Sequence, residues 1–326
     1  MNKSGVRMGI YRSGVVRRIT NWLDAIPHPV LACEIAPAYV AAVRWKHGGK
    51  ELEGFAVEPL PPGAVVPSAV ESNLADPTVV RSAMQKAIGR LEAGAQEVAL
   101  LLPDPVIRVF ILHFDSFPRS REEAIPMLRW KLKKSVPFES EETLVSHMRQ
   151  SPKDDGVDIV TSLARLRIIR EYELLAQGAG LIPTVVLSST LAALPLVDDQ
   201  QATLVARVVG SALTTAIVRE GCICGYRCTE LTSDPGGLTP KNLLDEIYPL
   251  TAYFQDSWEE EIRDVRLAGL GNRADEFARV IQTELRCPAG PLLKSAMEAG
   301  RVPSEARPLV DRQLEALVGW MLNRTA

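Results

Sequence analysis

Several things are scarce in this chain, and each scarcity excludes something. There is no basic excess: 37 Lys and Arg stand against 40 Asp and Glu, a net charge of −3. Nucleic acid is therefore a poor main partner, because its phosphates have no surplus cation to meet. No apolar run approaches the roughly 18 residues that a membrane span needs. The basic N-terminus has no apolar core behind it, which argues against a secretory signal. Five cysteines (Cys33, Cys222, Cys224, Cys228, Cys287) in 326 residues are an odd and sparse set. They read as the free thiols of a reducing cytoplasm, not a disulfide framework. The four histidines form no H-E-x-x-H, and there is neither a P-loop nor a G-x-S-x-G elbow. Cys222, Cys224 and Cys228 would share one strand face by period two, but a metal would need a fourth ligand and tighter spacing.

What remains is an ordinary globular composition, 46% hydrophobic and 24% charged, long enough for two lobes. Residues 1–27 carry Lys3, Arg7, Arg12, Arg17 and Arg18 before the first acid, Asp24. Val15, Ile19, Trp22, Leu23 and Ile26 add a short amphipathic pattern. Two readings stay open: a loose terminus whose last turns dock on the body, or a weak contact with anionic lipid. In residues 28–105, strands are expected at Val30–Cys33, Val40–Trp45 and Glu51–Val57. Asp76-Pro77 opens a helix to about Leu91, and Val98–Leu102 reads as a strand buried on both faces.

Residues 106–187 read as β-α-β-β-α-β, a ferredoxin-like order. Its first helix opens with Ser120 and Glu123, spaced as a capping box. Ile125, Leu128, Leu132 and Val136 form its apolar stripe, and Pro126 sits inside it. The expected end is at Val136-Pro137-Phe138. The second helix, Arg167–Gln177, turns Ile168, Ile169, Tyr172 and Leu175 inward, and the strand Leu181–Leu187 follows. In residues 188–326, strands are expected at Ala202–Gly210, Leu213–Arg219 and Cys222–Leu231. A helix over Pro240–Trp258, a strand at Val265–Ala268 and a closing helix over Pro308–Leu322 complete the pattern.

The stretch FPRSREEAIPMLRWKLKKSVPFESEE, from Phe117 to Glu142, resembles the type IV pilus assembly protein PilM family. A helix carrying Arg-Trp, then (Ile/Val)-Pro-Phe and a cluster of acids, is that family's signature. Tyr-x-x-Leu-Leu and Ala-Gly-Leu-x-Pro between Arg170 and Val186 look like its next helix and strand. The resemblance runs from about Val98 to Gly271, roughly half of the chain. It implies an actin-like, two-lobed α/β fold with the ferredoxin-like module inserted into the first lobe.

It also implies where nucleotide would bind. The family's first phosphate loop, Asp-Ile-Gly-Ser, corresponds to Glu34-Ile35-Ala36-Pro37: the acid survives, the glycine does not, and Pro37 offers no N–H. Glu34 could equally be a strand-end acid near the surface. The second loop's Asp-Ile-Gly corresponds to Arg207-Val208-Val209, with Gly210 one residue late. A cation there would repel magnesium, while still attracting an anion. Gly236-Gly237-Leu238-Thr239 matches the loop before the next helix. Gly269-Leu270-Gly271 stands at the adenine-side loop, its second glycine displaced. Taken alone, Gly269 to Ala274 is a G-x-G-x-x-A fingerprint, but it has no acid about twenty residues on.

The expectation is therefore a scaffold with no catalytic residues, no metal site, and no cofactor unless ATP and magnesium still bind the altered loops. The implied partner is the cytoplasmic N-terminal tail of a PilN-like bitopic inner-membrane protein, together with other pilus platform proteins. The implied place is cytoplasmic, peripheral to the inner membrane. Arg108, Phe110, Trp130 and Phe138 are the candidate peptide contacts; Trp130 and Phe138 could equally pack inside the module. Two other readings are a working actin-like ATPase and a GspL-like type II secretion component. A third is a filament-forming relative of FtsA.

Overall fold

The computed structural model describes residues 28–46, 51–92, 96–136, 138, 142–150, 156–198, 200–231 and 237–322. The basic head, Pro137 and Gly236 lie outside them. The chain begins with a meander: β1 (Leu31–Ala36), β2 (Tyr39–Trp45) and β3 (Leu52–Pro59) pair antiparallel in sequence. Asp76 then caps α1 (Pro77–Arg90), its carboxylate accepting from the N–H groups of Thr78 and Val79, with Pro77 in the first turn. Next, β4 (Glu97–Leu102) lies parallel to β1, its last five residues fully buried, as its unbroken apolar run requires.

The inserted segment begins at β5 (Arg108–Phe114), followed by α2 (Arg121–Leu132). Ser120 caps α2 by accepting from Glu122 rather than Glu123. The helix stops four residues before the expected Val136, and Ser135 turns back onto the carbonyl of Leu132. β6 (Thr143–Gln150) and β7 (Val157–Arg165) complete a three-stranded sheet in the order β5-β7-β6. Leu128 and Leu132 of α2 pack on Val145, Ile159 and Leu163 of this sheet.

α3 (Leu166–Gly178) and β8 (Ile182–Ser188) follow, giving the expected β-α-β-β-α-β order. The module boundary at 187 needs correction. β8 pairs parallel with β4, not with the module's strands, so α3 and β8 finish the first lobe. The reason lies in α3: Ile168, Ile169, Tyr172 and Leu175 bury into the first lobe's core. Gly180, at φ 85°, then turns the chain, and Leu181 donates to the carbonyl of Ala176.

After the short α4 (Ser189–Ala193), the second lobe repeats the first. β9 (Thr203–Val209), β10 (Ala212–Arg219) and β11 (Cys222–Glu230) form a second meander, and α5 (Pro240–Trp258) follows it. Thr239 and Asn242 make a reciprocal capping box at its start. β12 (Asp264–Ala268), α6 (Ala274–Leu285), β13 (Ala289–Pro291) and α7 (Leu292–Glu298) come next. The two five-stranded sheets share one order: β3-β2-β1-β4-β8 in the first lobe and β11-β10-β9-β12-β13 in the second. That duplicated order is the paired layer expected of an actin-like fold.

The closing helix is two helices, not one. α8 (Arg307–Asp311) ends at a turn where Gln313 is left-handed, and α9 (Glu315–Leu322) starts anew. α9 returns to the first lobe, burying Leu317, Val318, Trp320 and Met321 in its core. Gly319 permits the approach: a Cβ there would lie 2.2 Å from the carbonyl oxygen of Ala192 in α4.

Candidate functional site

The two meanders carry the residues implied for phosphate binding, and the fold brings their tips together. The β1–β2 turn is Pro37-Ala38, between paired Ala36 and Tyr39. The β9–β10 turn is Gly210-Ser211, between paired Val209 and Ala212. Gly210 has φ 58°, and a Cβ on it would sit 2.9 Å from Cγ of Pro37. The tips therefore touch where an actin-like cleft would hold phosphate.

Behind the tips lies a buried charge cluster. Arg207 of β9 donates from Nη2 to Oε1 of Glu34 of β1 at 2.8 Å, and each side chain is 1% exposed. Its Nη1 donates to Oγ of Ser189 at 2.6 Å and lies 4.0 Å from Oδ2 of Asp104. Its Nε lies 3.8 Å from Oε2 of Glu315, the first residue of α9. Burial alone would lower the arginine's pKa; the facing carboxylates Glu34, Glu315 and Asp104 outweigh it and hold the guanidinium charged. Glu315 is pushed above the ordinary carboxyl range by burial, against the opposing pull of Arg207 and a backbone hydrogen bond from Gly269. Glu34 is thus a buried interlobe partner, not a strand-end surface acid.

Asp104 fastens the lobes a second time. Its carboxylate accepts from Ser188, from the backbone N–H and hydroxyl of Thr190, and, across the cleft, from Thr214 at 2.9 Å and Tyr226 at 3.3 Å. The inserted module adds a third link. The side-chain amide of Gln150 accepts from the N–H of Ile223 at 2.7 Å and donates to its carbonyl at 3.0 Å, like a short piece of strand on the edge of β11.

The remaining implied residues fall in different surroundings. Ala36 is buried at the end of β1, and Gly237 precedes α5. Gly269 is at φ 72° and lies so close to the backbone of Val208 that no side chain fits; Gly271 is at φ 58°. Arg108 lines a small pocket of about 190 Å³ at the junction of both lobes and the module, with Pro37, Ser68, Val70, Ser211 and Glu230. Phe110 packs against the module core. Trp130 is 80% exposed on α2, so core packing does not explain it. Phe138 is half-buried. The three cysteines of β11 do not share a face. Ile217 pairs with Gly225 and Val218 with Ile223, so Cys224 is an extra, bulged residue. Cys222 and Cys224 consequently face the second lobe's core, while Cys228 lines the small pocket beside Arg108.

Asp104, Ser189, Thr214 and Glu315 were not singled out from the sequence. A signal was present for two of them. Asp104 is an acid between two prolines after an all-apolar strand, and Glu315 is a lone acid opening an apolar helix.

No protein-family model and no curated protein sequence matches the chain. Solved structures do. A structure of the PilM–PilN type IV pilus biogenesis complex superposes with a TM-score of 0.70 over 92% of this chain and 100% of that one, at 18% identity. The fold is PilM-like. The resemblance seen in the sequence is thereby borne out at the level of fold, as is the actin-like architecture. Weaker likenesses include the cytoplasmic domain of EpsL from Vibrio cholerae (TM-score 0.46, 13% identity, 73% of this chain and 80% of that one). Another is a Bacteroides thetaiotaomicron protein with an actin-like ATPase fold and unknown function (TM-score 0.45, 10% identity, 82% and 92%). Among the described residues, no helix is long and apolar enough to cross a membrane.

Proposed function

We propose that this chain is a PilM-like scaffold of a type IV pilus or related secretion platform that does not turn over ATP. The observation that carries the reading is the Glu34–Arg207 ion pair under the Pro37–Gly210 contact. A guanidinium occupies the place of the metal-organising acid, and its anion is a carboxylate of the protein. A triphosphate would have to break a fully buried pair, and losing one partner of such a pair costs about 3–5 kcal/mol.

With its cleft pinned by Arg207, Asp104 and Gln150, the molecule acts as a rigid docking body. Its partner is the cytoplasmic tail of a PilN-like bitopic membrane protein, which places the chain on the cytoplasmic side of the inner membrane. A tail ordering in an extended form needs a preformed groove and a few anchors. Arg108 at the interlobe junction and the bare Trp130 on α2 are offered for that role. The test is capture from membrane fractions followed by calorimetry with the recovered protein's tail peptide. Arg108→Glu should weaken tail binding by about tenfold or more, equivalent to about 1.4 kcal/mol. Recovery of no bitopic membrane protein would overturn the reading.

A further inference from the structure

α2 covers one face of the module's sheet through Ala124, Leu128 and Leu132. The other face of that sheet joins the first lobe, with Val109, Val160 and Ala164 in its core. The outer side of α2 therefore points away from that lobe. Trp130 stands there, with Pro126 four residues before it and Lys133 and Lys134 three and four after it, so the four share one side. All four are exposed. Trp130 is 80% exposed; a ring that open has no wall beside it and lies on a crest, not in a groove. Between Glu123 and Glu139 the chain has four cations, Arg129, Lys131, Lys133 and Lys134, and no acid. Arg129 is occupied with the carbonyl of Thr143, and Lys131 lies over the ring of Phe114. Lys133 and Lys134 have no ion-pair partner among the described residues.

We propose that this outer side of α2 rests on an anionic lipid surface. The argument is one of charge and shape. The chain as a whole is acidic, at −3, so attraction to an anionic surface has to be local. Two unpaired lysines beside an open indole supply it. An indole settles at the level of lipid headgroups, its apolar ring toward the acyl chains and its N–H in the wet layer. Lysines flanking it meet the lipid phosphates, and they act only within a Debye length of the surface. A convex crest suits a flat partner, whereas an extended peptide needs a groove. The inference rests on the reading of the chain as a membrane-side scaffold, and it deepens the role offered for Trp130. The tail of a bitopic protein starts at the bilayer, so a ring seated among headgroups meets that tail at its root.

Vesicle co-sedimentation of the full chain tests it, with phosphatidylglycerol-containing vesicles set against pure phosphatidylcholine ones. Binding is expected to the anionic vesicles alone, and is expected to fall as added salt screens it. Lys133→Glu/Lys134→Glu, altered only at exposed positions, should weaken binding by about tenfold or more while keeping its melting temperature. Brominated lipid should quench Trp130 fluorescence, and Trp130→Ser should lose that quenching, because Trp45 and Trp320 are buried in the protein. No binding to anionic vesicles, equal binding to both kinds, or unchanged binding by the lysine variant would overturn the proposal. Quenching that survives in Trp130→Ser would overturn it too, and would shift the contact to Trp22 in the basic head. Loss of tail binding in Trp130→Ser with vesicle binding untouched would assign the ring to the tail instead. Failure of the vesicle arms with a bitopic protein still captured sinks only the lipid contact; failed capture with vesicle binding intact sinks only the scaffold reading.

Discussion

Pro37 and Gly210 face each other across the cleft so closely that a Cβ on Gly210 would lie 2.9 Å from the proline ring. Each comes from the tip of a hairpin that an actin-like nucleotide site would use to hold phosphate. Their contact turns two open loops into one closed seam.

Gly210→Ala probes the seam. The new methyl meets Pro37, and alanine must hold φ 58°. A left-handed backbone costs a non-glycine residue about 1–2 kcal/mol before any clash. Chemical denaturation should report a loss of at least that size. The Pro37→Ala/Gly210→Ala double variant should recover the part due to the clash. An unchanged midpoint for Gly210→Ala would mean that the tips do not meet.

The ion pair beneath the seam should behave as a coupled unit. Arg207→Ala strands three buried carboxylates and should cost about 3–5 kcal/mol. Arg207→Met together with Glu34→Leu removes charge and counter-charge at once. Its loss should fall short of the sum of the two single losses by at least about 1 kcal/mol, as a double-mutant cycle would measure. Strict additivity would contradict the contact.

Glu315 gives a signed pH dependence. Burial raises its folded-state pKa above the ordinary 4.5. The folded form therefore holds its proton more tightly than the unfolded chain. The stability this contributes is full below the unfolded pKa and is lost as pH rises through the folded one. Glu315→Gln cannot titrate. The stability difference, variant minus wild type, should therefore rise as pH climbs through Glu315's raised pKa. Melting curves of both proteins from acid to neutral pH read it out; a difference that stays flat or falls would refute the assignment.

Gly319 tests how α9 docks against α4. Its missing side chain lets α9 lie against the carbonyl of Ala192, where a Cβ would come within 2.2 Å. Gly319→Ala raises helix propensity, so in a free helix it would stabilise. Here it should destabilise by about 1–3 kcal/mol through overpacking. A stabilised variant would show that α9 does not dock there.

Much of this fold was legible in the sequence because its signals are local. Asp76-Pro77 marks a helix start through its proline at the first helical position, and Val98–Leu102 announces a doubly covered strand through its apolar run. Two departures from the implied phosphate loops were also visible in the sequence: Pro37 has no N–H for a phosphate oxygen, and Arg207 puts a cation where the family's metal-organising acid stands. Long-range choices were not. β8 looks like the module's fourth strand in order and composition. Only the docking of α3 on the first lobe decides that it pairs with β4. The bulge at Cys224 breaks a period that the sequence presents as regular. The identity of Arg207's counter-anion was equally hidden, because Glu34 is 173 residues away and belongs to the other lobe.

The central claim is that the protein supplies its own ions where a nucleotide and metal would otherwise sit. Titration of Mg-ATP into the purified chain tests it most directly. The account predicts no saturable heat up to about 1 mM nucleotide, for the wild type and for Glu34→Ala alike. Micromolar Mg-ATP binding that disappears in Glu34→Ala would contradict it.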